Sequence, residues 1–201
     1  MKFPEQYRYI VVEGNIGAGK TSLAQKLAAD TGGRLLLEEF AENSFLPQFY
    51  KDPAKYAFPL ELSFLAARHN QLKQQFHSES NVPVISDYHI RKSLLFAQNT
   101  LEPEELKLFQ AFYDIISSQI PEPDLVIYLE KGIGKLRSNI LNRGREYERE
   151  LSENYLTSLQ NSYHSLIKNH NFEKLVIIPS ENLDFVNNEM DYQFIISMLK
   201  T

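Results

Sequence analysis

Residues Gly14–Thr21 read GNIGAGKT and match the phosphate-binding pattern G-x-x-x-x-G-K-[ST]. The pattern lies directly after an apolar run typical of a strand and directly before a stretch with helical spacing. Glycines let backbone N–H groups approach phosphate oxygens, and the positive end of the following helix favours the same anions. The lysine then reaches the outer phosphates, and the threonine hydroxyl binds Mg²⁺. The sequence therefore predicts a site for ATP and Mg²⁺ formed by Gly14, Asn15, Ile16, Gly17, Ala18, Gly19, Lys20 and Thr21.

Charged residues directly follow the apolar runs, at Glu13, Glu38–Glu39, Asp87 and Glu130. In a parallel α/β sheet, ligands bind outside the carboxyl ends of the strands, so these residues are the first candidates for chemistry. A carboxylate after the second run, Glu38 or Glu39, can accept a proton from an attacking hydroxyl. Asp87 follows the third run, where a P-loop enzyme needs a second carboxylate to hold Mg²⁺ directly or through water.

Five short apolar runs, four of them with β-branched residues, predict strands. They are Tyr9–Glu13, Arg34–Leu37, Val84–Asp87, Leu125–Glu130 and Lys174–Ile178. Because stretches with helical spacing separate them, we expect a five-stranded parallel sheet with helices on both faces. The whole chain, residues 1–201, is predicted to be one α/β domain.

The stretches with helical spacing predict seven helices. They are Thr21–Asp30, Ala57–Ser78, Ile90–Asn99, Pro103–Ser118, Ile133–Asn142, Ser152–Asn169 and Asn187–Lys200. In the longest, apolar residues from Phe58 to Phe76 recur every three or four positions, so we expect one face of this helix to be buried.

The composition excludes several classes of protein. The chain has no cysteine, which excludes disulfides and thiolate zinc sites, and its formal charge of −5 argues against binding of a nucleic-acid polymer. No run approaches the 18 or more apolar residues of a membrane span, and the first residues, MKFPEQYRY, do not resemble a signal peptide. We therefore expect a cytoplasmic protein that acts on small molecules.

A guanine-recognising N-K-x-D segment is absent from the sequence, and 201 residues leave no room for a motor or transporter domain. A small metabolite kinase remains. Beyond the phosphate loop, the chain resembles the deoxynucleoside kinases, most closely their bacterial deoxyguanosine and deoxyadenosine kinase branch. The resemblance extends through LEEFAENSF, FYKDPAKYAFPLELSFLAAR, SDYHIRKSLLFA, PDLVIYLE and RGREYERELSENYL. It implies a P-loop kinase fold and transfer of the γ-phosphoryl group of ATP to the 5′-hydroxyl of a deoxynucleoside.

The resemblance also implies roles for the carboxylates. Glu38 takes the place of the general base, and Asp87 takes the place of the acidic residue in an Asp/Glu-Arg-Ser motif. Here that motif reads Asp-Tyr-His, so Tyr88 stands where relatives carry an arginine. Either Arg91 or Lys92, one helical turn further on, is a candidate to replace that arginine.

RGREYE, at residues 143–148, matches the Arg-rich lid of the family, which extends over about residues 143–150 and closes over the phosphates. Arg143 and Arg145 are expected to stabilise charge on the transferred phosphoryl group. Asn139 stands where relatives commonly carry a further lid arginine. The resemblance pairs Glu148 with Tyr50 on the sugar 3′-hydroxyl, although ordinary packing explains a tyrosine at this position nearly as well.

The resemblance places base recognition at Glu61 and Arg68, which lie two helical turns apart and therefore on one helix face. An ionised glutamate can only accept hydrogen bonds, and guanine presents two donors, N1–H and N2–H₂. Arg68 can donate to O6 and N7 of guanine. Deoxyguanosine is therefore the expected acceptor. Phe96 is a candidate stacking platform for the base.

Several alternatives remain open from the sequence. One alternative for Glu61 and Arg68 is a surface ion pair unrelated to a ligand, and the alternative for Phe96 is an ordinary core residue. Deoxyadenosine or a broader set of deoxynucleosides is an alternative acceptor. A nucleoside monophosphate kinase, or an ATP-binding switch without an acceptor, is a more distant alternative. The resemblance also suggests a homodimer formed through helices around residues 57–78 and 90–118.

Overall fold

The strand Tyr9–Gly14 (β1) is fully buried and lies at the centre of a five-stranded parallel sheet in a computed structural model of the chain. The model describes residues 6–39, 43–76, 82–148 and 151–200. The other strands are Arg34–Leu36 (β2), Val84–Ser86 (β3), Leu125–Glu130 (β4) and Leu175–Pro179 (β5). Their order in the sheet is β2-β3-β1-β4-β5, and every neighbouring pair is parallel. The predicted sheet is confirmed.

Eight α-helices connect and extend the strands in the described part of the chain. They are Lys20–Thr31 (α1), Leu46–Lys51 (α2), Pro53–Phe76 (α3), Arg91–Thr100 (α4), Pro103–Ser117 (α5), Ile133–Arg143 (α6), Glu153–Asn169 (α7) and Glu189–Met198 (α8). One 3₁₀ turn, Glu146–Glu148, follows α6 within the predicted lid. Residues 149–150 of that lid, and residues 77–78 of the predicted long helix, lie outside the described residues.

The helices cover both faces of the sheet, as a parallel sheet requires. On one face, α1 and α8 enclose a core of apolar residues from alternate positions of β1 and β4, with Leu23, Leu27 and Ile195 among its members. On the other face, α3, α4 and α5 pack against Tyr9 and Val11. No helix among the described residues is long and apolar enough to cross a membrane.

The helix α3 differs from its prediction in its start and in its buried surface. It begins at Pro53, continues through Pro59, and buries two faces instead of one. One face packs Leu65 and Leu72 against the sheet side of the core. The other lies under α2, a six-residue helix too short to give a periodic signal and therefore missed from the sequence. This second packing compensates for the backbone hydrogen bond that a proline removes inside a helix.

Contact with α6 fixes the conformation of the phosphate loop. Gly17 has φ of 83°, and a Cβ atom at this position would lie 2.6 Å from the carbonyl oxygen of Leu136. The consensus pattern leaves this position open, but only glycine fits here. The Asn139 side chain donates to the Gly17 carbonyl at 2.9 Å, so α6 holds the loop by a hydrogen bond as well.

Candidate active site

A cavity of about 110 Å³ opens at the carboxyl edge of the sheet, between the phosphate loop and helices α2, α3, α4 and α7. The predicted acceptor-side residues all line it. They are Lys20, Thr21, Glu38, Tyr50, Glu61, Arg68, Asp87, Phe96, Arg143, Arg145 and Glu148. Glu39, the other carboxylate after β2, is exposed and lines neither this cavity nor the one described next.

A second, larger cavity of about 630 Å³ lies on the other side of the phosphate loop. Its walls include Gly17–Thr21 of the loop, Lys131 and Lys135 near the start of α6, and the segment Leu183–Asn187 before α8. Lys20, Thr21, Arg143 and Arg145 line both cavities. The phosphate loop and the lid arginines therefore lie between the two cavities, where a ligand in one cavity would contact a ligand in the other.

The phosphate loop and Asp87 are joined by a direct hydrogen bond. The Thr21 hydroxyl donates to Oδ2 of Asp87 at 2.5 Å, and Lys20 Nζ donates to the carbonyl of Asn15 at 3.0 Å. Burial, reinforced by the nearby charge of Lys92, lowers the pKa of Lys20 to about 8. A phosphate anion would oppose both effects and raise this pKa, so a bound phosphate would stabilise the charged form of Lys20.

Glu38 is held by two buried cations. Arg68 donates from Nε to Oε1 at 2.8 Å, and Lys92 donates from Nζ to Oε2 at 2.6 Å. The backbone N–H of Glu38 donates to Oδ1 of Asp87 at 2.9 Å, which fixes the end of β2 against the end of β3. Burial by itself would raise the pKa of Glu38, but Lys92 and Arg68 together keep it well below its usual range. Glu38 is therefore a fixed, ionised hydrogen-bond acceptor.

The structure distinguishes Arg91 from Lys92 as replacements for the arginine absent at Tyr88. Arg91 turns away from the cavity and pairs with Glu122. Lys92 is 7% exposed, lines the cavity and pairs with Glu38. Tyr88 itself is fully buried, and its hydroxyl donates to Gln71 at 2.7 Å. Of the two candidates, only Lys92 is therefore placed next to Glu38.

Glu61 and Arg68 are both buried, at 2% and 3% exposure, so they do not form a surface ion pair. Arg68 donates hydrogen bonds to Glu38 and, from Nη1 at 2.7 Å, to the Ser93 hydroxyl. Its guanidinium group also stacks over the ring of Phe64. Glu61 Oε1 accepts from the Thr100 hydroxyl at 3.1 Å, whereas Oε2 has no hydrogen-bond partner among the described residues. The expected base reader is thus a buried carboxyl with one oxygen unoccupied.

The lid residues form a cluster of their own. Glu148 accepts from Arg143 through Oε2 and from Arg145 through Oε1, the latter at 3.2 Å. Helix α6 ends at Arg143, and the next residue, Gly144, has a φ of 73° that turns the chain into this segment. Asn139 does not extend the cluster, because its amide is used on the phosphate loop. Glu148 therefore holds both arginines at the junction of the two cavities.

Sequence reasoning missed several residues of the site. Ser93, Gln71, Thr100 and Tyr155 either support a predicted residue or line the acceptor cavity. Thr100 reaches Glu61 across 39 positions of the chain, and no local pattern reports such a contact between helices. Lys92 carried a weak signal, as one of two basic residues one turn beyond Asp87.

The residues present fit a magnesium ion of the kind that nucleotides bring. The Thr21 hydroxyl and the Asp87 carboxylate are adjacent oxygen donors, which suit a hard cation. Within the described residues, no group of three or more acidic, His or Cys side chains could enclose a metal. Mg²⁺ usually takes one or two protein ligands and completes its shell with phosphate and water, so this pair is sufficient.

A phosphate loop, a carboxylate beside its threonine, and two arginines facing the same point define a P-loop phosphotransferase. A family model described as deoxynucleoside kinase matches residues 10–201 of the chain. The chain belongs to the deoxynucleoside kinase family. The sequence-based prediction of the family and of the enzyme class is confirmed.

Individual relatives carry different substrate names. The chain is 32% identical to a deoxyguanosine kinase of Bacillus subtilis over 96% of both chains. It is 27% identical to a deoxyadenosine/deoxycytidine kinase of the same organism, over 94% of this chain and 90% of that one. Its fold is similar to that of a deoxyadenosine kinase from M. mycoides with dCMP and dCDP bound, with a TM-score of 0.84, 25% identity, and coverage of 96% and 98%.

Replacing Lys92 by Met should lower kcat about 10²- to 10³-fold, because the cavity loses a preorganised positive charge next to Glu38. The measurement is steady-state nucleoside phosphorylation, with a thermal melt to confirm folding. Arg91→Met is the matched control, since its guanidinium contacts Glu122 outside the cavity, and it should keep near-native turnover. Equal losses in both variants would contradict the role assigned to Lys92.

Proposed function

We propose that this kinase transfers the γ-phosphoryl group of ATP to the 5′-hydroxyl of a purine deoxynucleoside, with deoxyguanosine preferred. The observation that carries the proposal is the buried Glu61 carboxyl in a cavity that also holds Glu38. Glu61 would select the base, and Glu38 would accept a hydrogen bond from the 5′-hydroxyl. The shared lining of the two cavities supports in-line transfer from a donor in the larger cavity to an acceptor in the smaller one.

Glu38 would orient the 5′-hydroxyl by accepting its hydrogen bond. Because Arg68 and Lys92 hold its pKa low, Glu38 is a weak base, and strong proton abstraction before attack is not what this geometry favours. Phosphoryl transfer has a loose transition state with little demand for a strong nucleophile. Accurate placement of the hydroxyl oxygen, with proton transfer late in the reaction, suits such a carboxylate.

Charge on the transferred group would be stabilised by Lys20, Arg143 and Arg145, which line both cavities. Thr21 and Asp87 would hold Mg²⁺, which neutralises negative charge on the phosphate oxygens when it is bound. Glu148 and Tyr50 face the same acceptor cavity, and a sugar 3′-hydroxyl could pair with the Glu148 carboxylate. The walls around Glu61 include Leu60, Phe64 and Phe96, apolar surfaces suited to the flat faces of a base.

The base preference rests on complementary hydrogen bonds. An ionised Glu61 presents only acceptors, and guanine offers N1–H and N2–H₂ side by side. Adenine would direct its N1 lone pair at the carboxylate, and a buried hydrogen bond left unmade costs about 1–3 kcal/mol. The relative named deoxyguanosine kinase, at 32% identity over nearly the whole chain, supports the same order. Relatives named for deoxyadenosine keep that nucleoside as the second acceptor.

We further propose that two copies of the chain form a homodimer through α5. This helix buries Phe109 and Tyr113 in the core, yet its outer side carries Leu108, Phe112 and Ile115 in the exposed state. These three residues are three or four positions apart and therefore form one apolar stripe. A contiguous apolar stripe on an otherwise polar surface is typical of a protein contact.

The nucleoside panel tests the proposed function directly. With γ-labelled ATP at a pH of about 8, deoxyguanosine should give more labelled monophosphate than deoxyadenosine, and thymidine should give little. The readout is the identity of the labelled product in parallel and mixed reactions. Label transfer to nucleoside monophosphates in place of nucleosides, or a preference for thymidine, would refute the proposal.

Glu38→Gln should lower kcat by about 10²- to 10⁴-fold, because an amide still fits but no longer accepts a proton. The KM for ATP should change by less than about threefold, since Glu38 does not line the larger cavity. Glu39→Gln is the matched control, one position away and exposed, and it should behave like the parent enzyme. Near-full turnover by Glu38→Gln would remove Glu38 from the mechanism.

Phe112→Glu should convert the dimer to a monomer, because a charge at the centre of an apolar contact is left unpaired. Light scattering after gel filtration measures the mass of each variant. Leu141→Glu, a change at an exposed leucine of α6 outside the stripe, should leave the mass unchanged. A native protein that is already monomeric at micromolar concentration would contradict the proposed dimer.

A further inference from the structure

Glu61 is buried without a full set of partners, which is an unstable arrangement for an ionised carboxylate. Oε1 accepts from Thr100, but Oε2 has no hydrogen-bond partner among the described residues, although the whole side chain is only 2% exposed. An unpaired buried charge is costly, so the carboxylate must either bind a proton or receive donors from a ligand.

The charged groups around Glu61 supply only part of that compensation, and none of them donates a hydrogen bond to Oε2 among the described residues. Arg68, on the same helix, directs its donors to Glu38 and Ser93, and Lys92 on α4 pairs with Glu38. From α7 and α2 the facing groups are the phenols of Tyr155 and Tyr50, and burial raises the pKa of Tyr155 well above its usual value. Across the cavity, Arg143 and Arg145 are paired with Glu148. The nearby cations are therefore already engaged with other carboxylates.

The two protonation states of Glu61 complement two different classes of base. The ionised form has acceptors only and matches the adjacent N1–H and N2–H₂ donors of guanine. The protonated form has one donor and one acceptor, like a glutamine side chain. It matches the N6–H₂ donor and N1 acceptor of adenine, and the equivalent pair of cytosine.

We propose that Glu61 binds both 6-oxo and 6-amino bases by changing its own protonation state, so that the choice of deoxynucleoside is linked to one proton. This inference rests on the proposed function, because it assigns a second mode of recognition to the same acceptor cavity. Deoxyadenosine would bind with uptake of a proton by Glu61. Deoxyguanosine would bind the ionised form and release a proton wherever Glu61 was protonated beforehand.

Both forms are accessible near neutral pH. Burial raises the pKa of Glu61 to about 7, while Arg68 and the Thr100 hydroxyl act in the opposite direction. At a pH below this pKa the carboxyl is neutral and binding of deoxyadenosine is favoured. At a pH above it the carboxyl is ionised and binding of deoxyguanosine is favoured. Because one substrate needs the proton and the other needs its absence, the ratio of their kcat/KM values should change about tenfold per pH unit.

Internal competition is the sharpest measurement of this ratio. Both nucleosides are mixed with ATP between about pH 6 and 8, a range in which neither base titrates, and the two monophosphates are quantified from one reaction. Any pH effect on ATP, Mg²⁺ or Lys20 is common to both products and cancels. The dGMP-to-dAMP ratio should rise about tenfold per pH unit. A ratio that stays constant across this range would overturn the proposal.

Glu61→Gln should fix the preference on deoxyadenosine and abolish the pH dependence of the ratio. Thr100→Val should keep the slope but shift the ratio several-fold toward deoxyadenosine at every pH, because the ionised form loses a hydrogen bond. Glu104→Gln, at an exposed position of α5, should retain both the native ratio and the native slope. A native slope in Glu61→Gln would assign the proton to another group.

Calorimetry on the unaltered enzyme covers the case in which Glu61→Gln does not fold. Titration of each nucleoside near pH 7 in two buffers of different ionisation enthalpy counts the protons exchanged. Binding of deoxyadenosine should take up a fraction of a proton, and binding of deoxyguanosine should release a fraction of a proton. Equal proton counts for both nucleosides would refute the linkage. Failure to phosphorylate either nucleoside would instead refute the proposed function, so the two failures are distinguishable.

Discussion

The geometry of the site depends on one largely buried carboxylate, Glu38, and on the two cations that hold it. Arg68 comes from α3 and Lys92 from α4, so the pairings fix both helices against the end of β2. Removing either cation would leave a buried charge with half of its compensation, which is far costlier than losing a surface ion pair. Asp87 extends the network by binding the Glu38 backbone and the Thr21 hydroxyl. The ends of β2 and β3 and the start of α1 are thereby held together around the point of phosphoryl transfer.

Glu38 and Glu61 show how one cavity can give two identical side chains different properties. Both lie in the same pocket and both are largely buried, yet the pKa of Glu38 is lowered whereas that of Glu61 is raised. The difference arises because Lys92 and Arg68 both donate to Glu38, whereas burial dominates at Glu61. Separation of two carboxyl pKa values by their surroundings is how enzymes assign distinct roles to like residues. Here it separates a fixed acceptor for a hydroxyl from a residue able to change its hydrogen-bonding pattern.

Much of the fold was predictable because parallel α/β sheets leave strong local signals. Each strand is a short apolar run and each main helix has its own spacing, so five strands and seven helices were located to within a few residues. The helix α2 escaped because six residues are too few to show a period. The start of α3 was placed at Ala57 and not at Pro53, because the apolar spacing that indicated the helix begins only at Phe58.

The sequence by itself determined the phosphate loop, the carboxylates at the strand ends and the family, because those signals lie in contiguous residues. Only the tertiary structure decided which side chains meet. It pairs Glu38 with Lys92 and not with Arg91, directs Arg68 to Glu38, and leaves one oxygen of Glu61 without a hydrogen-bond partner in the part of the chain that the structure describes. Each of these facts depends on contacts between elements that are far apart in the chain and on the solvent that those contacts exclude. Burial and partner geometry set the protonation of a carboxyl group, and neither is a local property of the sequence.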